Sequence, residues 1–319
     1  MSALRLAVLG VGHMGRLHAR KVSALAAGDC SVALIGVADS NAERAAEIAA
    51  EVGARGVVDF RDLLAEIDAA IVAVPTVDHY EVVCETLTAG VDVLVEKPIA
   101  ATLPEAKKIL SIARDGGRVL QVGHLEWFNA AMREVVASIR RPRFVESHRL
   151  GPFPGRGTDV DVVRDLMIHD LDVIQRLVGE EPTRIEAVGV PVISDSVDIA
   201  NARIGFPGGC VANLTASRVS PKPMRRIRFF QRDGYFSIDF LEQVVAIARR
   251  LEVGTSGERR IDLQRIEIDP EDALLSQLGS FIEAVRTRSV RAGAAHEGLS
   301  ALRTALRVID AMQPLDDLQ

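Results

Sequence analysis

Cysteine is scarce in this chain of 319 residues: Cys30, Cys84 and Cys210 are the only three, and no two of them stand in a C-x-x-C pair. An odd, scattered set excludes a disulfide framework and a thiolate zinc site, and it predicts small core residues in a reducing compartment. Long apolar runs are missing too. No window reaches membrane-spanning length, and Met1 to Arg5 leads straight into a charged-flanked strand pattern with no leader-like stretch, so a cytoplasmic chain with no membrane partner is expected. Positive charge is not in excess: 38 Lys and Arg stand against 44 Asp and Glu, and a net charge of -6 argues against nucleic acid as a partner. The expected ligand is small. No internal repeat and no low-complexity segment interrupts the sequence.

What is present is an ordinary globular composition, 48% hydrophobic and 26% charged, spread over more residues than one core usually organises. Two domains of unequal kind follow. The first opens with LRLAVLGVGHMGRLHA, Leu4 to Ala19, in which an apolar strand pattern runs into a helix pattern through Gly10, Gly12 and Gly15. In a G-x-G-x-x-G turn the first glycine permits the bend, the second lets backbone approach a pyrophosphate, and the third lets helix pack on strand. A second apolar run, Val32 to Asp39, ends in an acid at the distance expected for a ribose-binding carboxylate. Asp39 favours NAD over NADP, because an acid there repels a 2′-phosphate and no arginine follows until Arg44.

Strand and helix patterns alternate from Val57 to Gly123, which predicts a doubly wound parallel sheet, a Rossmann-type α/β domain over residues 1–122. Beyond Arg141 eight strand candidates follow with few helices between them, from Arg143–Leu150 to Ile261–Ile268. They suit an open, largely antiparallel sheet in a C-terminal α+β domain, residues 123–319. Two segments, Phe206 to Cys210 and Arg232 to Tyr235, are expected to be hairpin turns in which glycine supplies positive φ. The one long helix of this half is placed over Val162 to Val178, with helical periodicity again over Glu271–Arg286 and Glu297–Met312.

Three stretches carry candidate chemistry: VAVPTVDHY at 72–80, VEKP at 95–98 and RDLMIHDLD at 164–172. The first two follow apolar strands, at the sheet edge where ligands of this architecture bind. An ammonium at Lys97, beside a nicotinamide and a hydroxyl, suits proton transfer. Asp165 and His169 are four apart on one helix face, where the carboxylate could orient an imidazole that accepts an alcohol proton. Asp170 and Asp172 fall on other faces and read as solvated charge. No second histidine–carboxylate cluster completes a metal site, so no metal is expected.

Together GVGHMG, VEKP, QVGHLEWFNAA at 121–131 and the Asp165/His169 spacing resemble the Gfo/Idh/MocA family over nearly the whole chain. The resemblance implies an NAD(P)-dependent sugar or cyclitol dehydrogenase, with Lys97 near the reacting carbon and His169 as acid/base. It also implies an open sheet in the second domain that supports homo-oligomers. Cofactor contacts are expected from Gly10, Gly12, His13, Met14, Gly15 and Asp39, and from Pro75, Thr76, His79, Glu96, Lys97 and His124. Where the family has arginine and proline in its VGHxxRFNP stretch, this chain has Trp127 and Ala130, while His124 and Asn129 match.

Within the family, SHRLGPFPGRGTDVDVVRDLMIHDLD, DIANARIGF and VANLTASRVS are similar to UDP-N-acetylglucosamine 3-dehydrogenases, with Gly151 and Arg164 as departures. That narrower resemblance implies a nucleotide-sugar substrate, a 3-keto product and an aminotransferase that consumes it. Substrate contacts are then expected from Lys97, Asn129, Asp165 and His169. A pyrophosphate needs cations, and Arg149, Arg156 and Arg218, with Lys222 and Arg225 nearby, are the candidates. Alternatives are a cyclitol or free-sugar dehydrogenase, a biliverdin-reductase-like enzyme and a non-catalytic dinucleotide sensor; retention of Lys97 and His169 weighs against the sensor.

Overall fold

The computed structural model describes residues 3–28, 31–153, 160–253, 258–289 and 294–312. They form two compact units, one of residues up to His124 together with Leu274–Leu299, the other of Leu125–Ala273 and the residues from Ser300 on. Residues 274–299, placed by sequence in the second domain, thus belong with the first unit.

In the first unit β1 (Leu4–Leu9), α1 (His13–Gly28), β2 (Val32–Ala38), α2 (Ala42–Val52), β3 (Arg55–Val57), α3 (Arg61–Leu64), β4 (Ala69–Val72), α4 (His79–Thr88), β5 (Asp92–Val95), α5 (Leu103–Asp115) and β6 (Leu120–Val122) alternate. The strands lie in the order β3-β2-β1-β4-β5-β6, every pairing parallel. β4 and β5 are buried at all four positions, as strands covered on both faces must be, which is why they read as unbroken apolar runs. Helix α5 starts at a complete capping box, Thr102 and Glu105, with Pro104 in its first turn.

The second unit holds α6 (Ala130–Val135), β7 (Phe144–Leu150), α7 (Ile168–Val178), β8 (Arg184–Val190), β9 (Ile199–Gly205), β10 (Val211–Ser217), β11 (Met224–Gln231), β12 (Gly234–Asp239), β13 (Val244–Val253) and β14 (Glu258–Glu267). Its eight strands run β14-β13-β12-β11-β7-β10-β9-β8, antiparallel except for β7 with β10. The fold class expected from sequence is the one observed. One turn differs: Gly209 takes positive φ in the β9–β10 hairpin, but Gly234 pairs with Gln231 as the first residue of β12, leaving Arg232 and Asp233 as the turn. The long helix also differs, because residues Val163–Met167 form a π-helical turn ahead of α7.

Helices α8 (Ala273–Thr287) and α9 (Ala294–Asp310) close the chain. α8 sends Leu278, Phe281, Ile282 and Val285 into the core of the first unit, with Leu6, Val8, Ile71 and Leu94 of the parallel sheet. The rest of α9 serves the second unit, where Ala301, Ala305 and Val308 join Ile168, Leu171 and the inner face of the eight-stranded sheet. Among the described residues no helix is long and apolar enough to cross a membrane.

Phe281 is fully buried. Truncating such a ring removes its transfer energy and leaves a cavity, so Phe281→Ala should lower unfolding stability by about 3–5 kcal/mol, read from chemical denaturation, even though it lies far along the sequence from the nucleotide-binding motif. A loss below about 1 kcal/mol would show that α8 is not part of this core.

Candidate active site

The glycine turn is built by what cannot fit beside it. Gly10 ends β1 at φ +83, and a Cβ there would lie 2.6 Å from the Val74 nitrogen; a Cβ on Gly15 would lie 1.8 Å from the Gly10 carbonyl oxygen. Any side chain at Gly15 would therefore push α1 off the turn. Gly12 is the opposite case: a Cβ there meets nothing within 4 Å, so the glycine leaves open space in front of the first turn of α1. Backbone N–H groups and the helix dipole face that space, which fits a pyrophosphate. His13 is exposed and Met14 half-buried at the same helix start.

Asp39 ends β2 and is buried. Its Oδ2 accepts from the Val11 N–H at 2.9 Å and from Arg44 Nε at 2.9 Å; its Oδ1 accepts from the Asn41 N–H at 2.9 Å and from Arg44 Nη2 at 2.7 Å. Burial alone would raise the carboxyl, but the Arg44 guanidinium and the two N–H groups outweigh it and hold Asp39 below the usual carboxylate range. The N-cap of α2 is Asn41, which accepts from the Arg44 N–H. Two carboxylate oxygens offer about four acceptor sites, and all four are occupied. A ribose hydroxyl can reach Asp39 only by displacing a donor, and Arg44, with its side chain 46% exposed, is the one able to move. Sequence spacing gave no sign of this pair, since Arg44 acts across the cap from five residues on.

At the ends of β4 and β5 the loops are held by a histidine. His79 is buried with Nδ1 2.8 Å from the Pro98 carbonyl and Nε2 3.0 Å from the Val74 carbonyl. Burial pushes its pKa down, and a neutral ring carries one N–H, so it donates to one carbonyl at a time. Expected from sequence to touch the cofactor, His79 instead ties Val74 to the Lys97-Pro98 turn, whose peptide bond is cis. Pro75 is exposed and Thr76 half-buried beside it. Glu96 is buried and lies 2.8 Å from Nε2 of His18, a residue of α1, while its Oε2 accepts from the Lys97 N–H at 3.3 Å. Burial would raise Glu96, but His18 and the Lys97 charge hold it below the usual range. Lys97 itself is half-buried, and His124 is buried just past β6.

In the second unit the π-helical turn is capped by Asp161, whose Oδ1 accepts from the N–H groups of Val163 and Arg164 at 3.0 and 2.9 Å and whose Oδ2 pairs with Arg164 Nε at 2.6 Å. Asp165 lies in that turn and His169 at the start of α7; both are half-buried. A π turn carries slightly more residues than an α turn, so positions four apart still share a face, and such turns recur at functional sites.

Two expected substrate arginines are spent on the protein itself. Arg149 is buried between Asp170, which it grips at 3.1 and 2.8 Å, and Glu126 at 2.7 Å. Burial would lower its pKa, but the two carboxylates raise it. Arg218, also buried, donates to Asp198 at 2.7 Å, to the Val160 carbonyl at 2.8 Å and to the hydroxyls of Ser194 and Ser196. Asp198 further accepts from the N–H groups of Val192, Ile193 and Ser194 and from the Ser194 hydroxyl; against the upward push of burial, the Ile193 and Ser194 donors and the Arg218 guanidinium hold it well below the usual range. Asn129 is a helix cap: its side chain accepts from the Ala131 N–H at 3.0 Å and donates to the Phe240 carbonyl. Asp170 and Asp172 are buried rather than solvated, Asp172 pairing with Arg176 at 2.9 Å. Arg156 lies outside the described residues, and Lys222 and Arg225 are exposed. Among the described residues no cluster of His, Cys, Asp or Glu could hold a metal ion.

A model of an oxidoreductase family with an NAD-binding Rossmann fold matches residues 4–124, and a GFO/IDH/MocA C-terminal domain model matches residues 130–237. A UDP-N-acetylglucosamine 3-dehydrogenase of Acidithiobacillus ferrooxidans is 40% identical over 286 residues, which covers 89% of this chain and 90% of the relative. A solved structure of the UDP-N-acetylglucosamine 3-dehydrogenase from that organism aligns at a TM-score of 0.90 and 38% identity, covering 98% of each chain. An inositol 2-dehydrogenase of Rhizobium meliloti is 26% identical over 95% of this chain and 94% of the relative. The scyllo-inositol dehydrogenase of Lactobacillus casei, at 19% identity and a TM-score of 0.81 over 97% of each chain, shares the fold.

The open space at Gly12 and the carboxylate of Asp39 fit NAD. Freeing Asp39 should recover one neutral hydrogen bond to the ribose, so Arg44→Ala is expected to tighten NAD by roughly two- to tenfold and to weaken NADP, whose 2′-phosphate loses its nearest cation. Calorimetric titration of both cofactors checks this. Weaker NAD binding in the variant would mean that Arg44 supports the site rather than competing for it.

Proposed function

The chain belongs to the GFO/IDH/MocA oxidoreductase family, and from that premise we propose that it oxidises the 3-hydroxyl of UDP-N-acetylglucosamine to a ketone with NAD as acceptor. The observation that carries the substrate is the 40% identity to a UDP-N-acetylglucosamine 3-dehydrogenase across nine-tenths of both chains, against 26% for an inositol dehydrogenase of similar coverage.

Bound NAD supplies the hydride acceptor. Oxidation of the alcohol takes a hydride from carbon and a proton from oxygen, and this chain's residues manage the proton. His169 accepts it, with Asp165 four residues earlier orienting the imidazole and stabilising the imidazolium. Lys97 donates a hydrogen bond to the reacting oxygen; the chain direction behind it is fixed by Pro98 and by the Glu96–His18 pair. Since Arg149 and Arg218 are engaged internally, the pyrophosphate falls to Arg156 and to exposed Lys222 and Arg225, which lie beside the end of β7. The 3-keto sugar suits an aminotransferase as the next enzyme. A cytoplasmic setting, where both nucleotides are available, belongs to the same proposal, as does a homo-oligomer through the outer face of the eight-stranded sheet, where Val188, Ile261 and Leu263 are exposed.

Three-oxidation of a nucleotide sugar is unfavourable without a sink, so binding is measured first. Calorimetry on the NAD complex with a panel of UDP-sugars, hexoses and inositols should place UDP-N-acetylglucosamine first, with affinity falling as salt screens the pyrophosphate contacts. Preference for myo-inositol or glucose over every UDP-sugar would remove the nucleotide-sugar assignment and leave the dehydrogenase standing.

The proton-handling roles have their own test. With an amino donor and the aminotransferase drawing off product, Lys97→Ala and His169→Ala should each lower turnover by roughly 100-fold or more while NAD still binds. Turnover within a few-fold of the unmodified enzyme in either variant would take that residue out of the chemistry.

A further inference from the structure

The second unit contains a cavity of about 1190 Å³ that the dehydrogenase reaction does not use. Six arginines line it: Arg140, Arg141, Arg143, Arg232, Arg249 and Arg250. The acids among its lining are two, Glu180 and Asp233, and each already accepts a hydrogen bond, Glu180 from the Gly208 N–H at 2.8 Å and Asp233 from Gln231 at 3.0 Å. In a chain of net charge -6, this is a concentrated reversal of sign. Among the described residues no carboxylate forms an ion pair with Arg140, Arg141, Arg143, Arg232 or Arg249, whereas Arg149, Arg176 and Arg218 of the same unit all have one. Five exposed guanidiniums are therefore gathered round one concavity without the carboxylate partner that Arg149, Arg176 and Arg218 each have.

The backbone supports the same conclusion. Arg141 has φ +50, a left-handed conformation that costs a bulky L-residue of the order of 1–2 kcal/mol and that recurs at binding sites. Arg249 lies over the Phe236 ring at 5.9 Å and donates to Ser138, and Arg143 donates to the Gly208 carbonyl, so two of the guanidiniums are oriented by their surroundings.

The cavity is separate from the residues assigned to chemistry. It lies at the start of β7 and the end of α7, by Arg143 and Val178, whereas His169 opens α7 and Arg149 ends β7 beside Asp170. Val178 is about 14 Å from His169 along the helix at 1.5 Å per residue, and β7 is about 20 Å long.

We propose that this arginine-lined cavity is a second ligand site that binds a small phosphorylated metabolite carrying at least two phosphate groups. Guanidiniums suit such a ligand because each offers a planar fork to two phosphate oxygens, and several round one concavity neutralise adjacent phosphates together. The volume is ample for a small ligand.

Inorganic triphosphate is the probe, titrated by calorimetry into the full chain saturated with NAD and UDP, so that the glycine cradle and the proposed substrate-pyrophosphate site are both filled. One site is expected, weakened by salt. Arg141→Gly, which relieves the left-handed backbone and so keeps the fold, should weaken it by roughly tenfold, the value of one charge-assisted hydrogen bond. The Arg143→Ala/Arg232→Ala double variant should weaken it further, and NAD binding should stay as it was in both. Triphosphate binding unchanged in both variants, or absent from the unmodified protein, overturns the proposal. So does a 20-nucleotide single strand that binds more tightly than triphosphate and is lost in the same variants, which would make the patch a nucleic-acid surface. Neither result depends on which sugar the enzyme oxidises.

Discussion

Buried charge has to be paired, and the second unit is arranged around one such pairing. Arg149 is held between Glu126 and Asp170 with almost no access to water. Removing one partner from a buried pair costs about 3–5 kcal/mol because the remaining charge is left uncompensated. The three residues come from the short turn before α6, from β7 and from the first turn of α7, so satisfying the guanidinium fixes where α7 begins on the sheet. His169 is the residue immediately before Asp170. Its backbone position is therefore tied to a salt bridge one residue away. Asp198 and Arg218 do similar work at the ends of β9 and β10, drawing in the 192–196 turn and, through the Val160 carbonyl, the approach to the Asp161 cap.

The first unit depends on missing atoms instead. Gly15 lets α1 descend onto the Gly10 carbonyl, and that contact determines how the helix leaves the sheet. The consequence appears within one turn of α1, where His18 reaches Glu96 at the end of β5. The nucleotide-binding helix and the Lys97 turn are joined by this one buried hydrogen bond, and His79 joins the same turn to the loop after β4. Lys97 thus sits on a loop tied at two points to rigid elements, which suits the role proposed for it, where one geometry toward the substrate oxygen is required.

Local rules were legible in the sequence. Glycines at fixed spacing mark a turn by their pattern over six residues, unbroken apolar runs report strands covered on both faces, and alternating ones report a sheet with one open face; the parallel sheet and all eight strands of the second sheet follow from these. Residues whose role depends on a distant partner were not legible. Arg149 and Arg218 read as free cations because Glu126 and Asp198 are 23 and 20 residues away, and nothing in a helical pattern marks Asp170 and Asp172 as buried. His79 read as a ligand contact because the carbonyls it meets carry no sequence identity at all. Asn129 was picked out by its motif, yet an asparagine before Ala130 also carries the signature of a helix cap, and that signal was available. A boundary at residue 122 likewise takes no account of α8, whose apolar stripe shows that it packs but not on which sheet.

The fate of the arginines changes what anion recognition in this chain can rest on. A cation that binds a substrate phosphate must be exposed before the substrate arrives, and it must gain more from the phosphate than from its resident partner. Arg149 and Arg218 fail both conditions: they are buried, and each is already paired, Arg149 with Glu126 and Asp170 and Arg218 with Asp198. Arg44 meets them in part, being half-exposed and bound to an acid that keeps three of its four acceptor sites filled if the guanidinium yields only one contact. Five of the arginines around the second unit's cavity meet both, since among the described residues no carboxylate pairs with them. By what each cation would give up, rather than by nearness to a motif, the described arginines best placed to take an anion are those at the far end of α7 from His169.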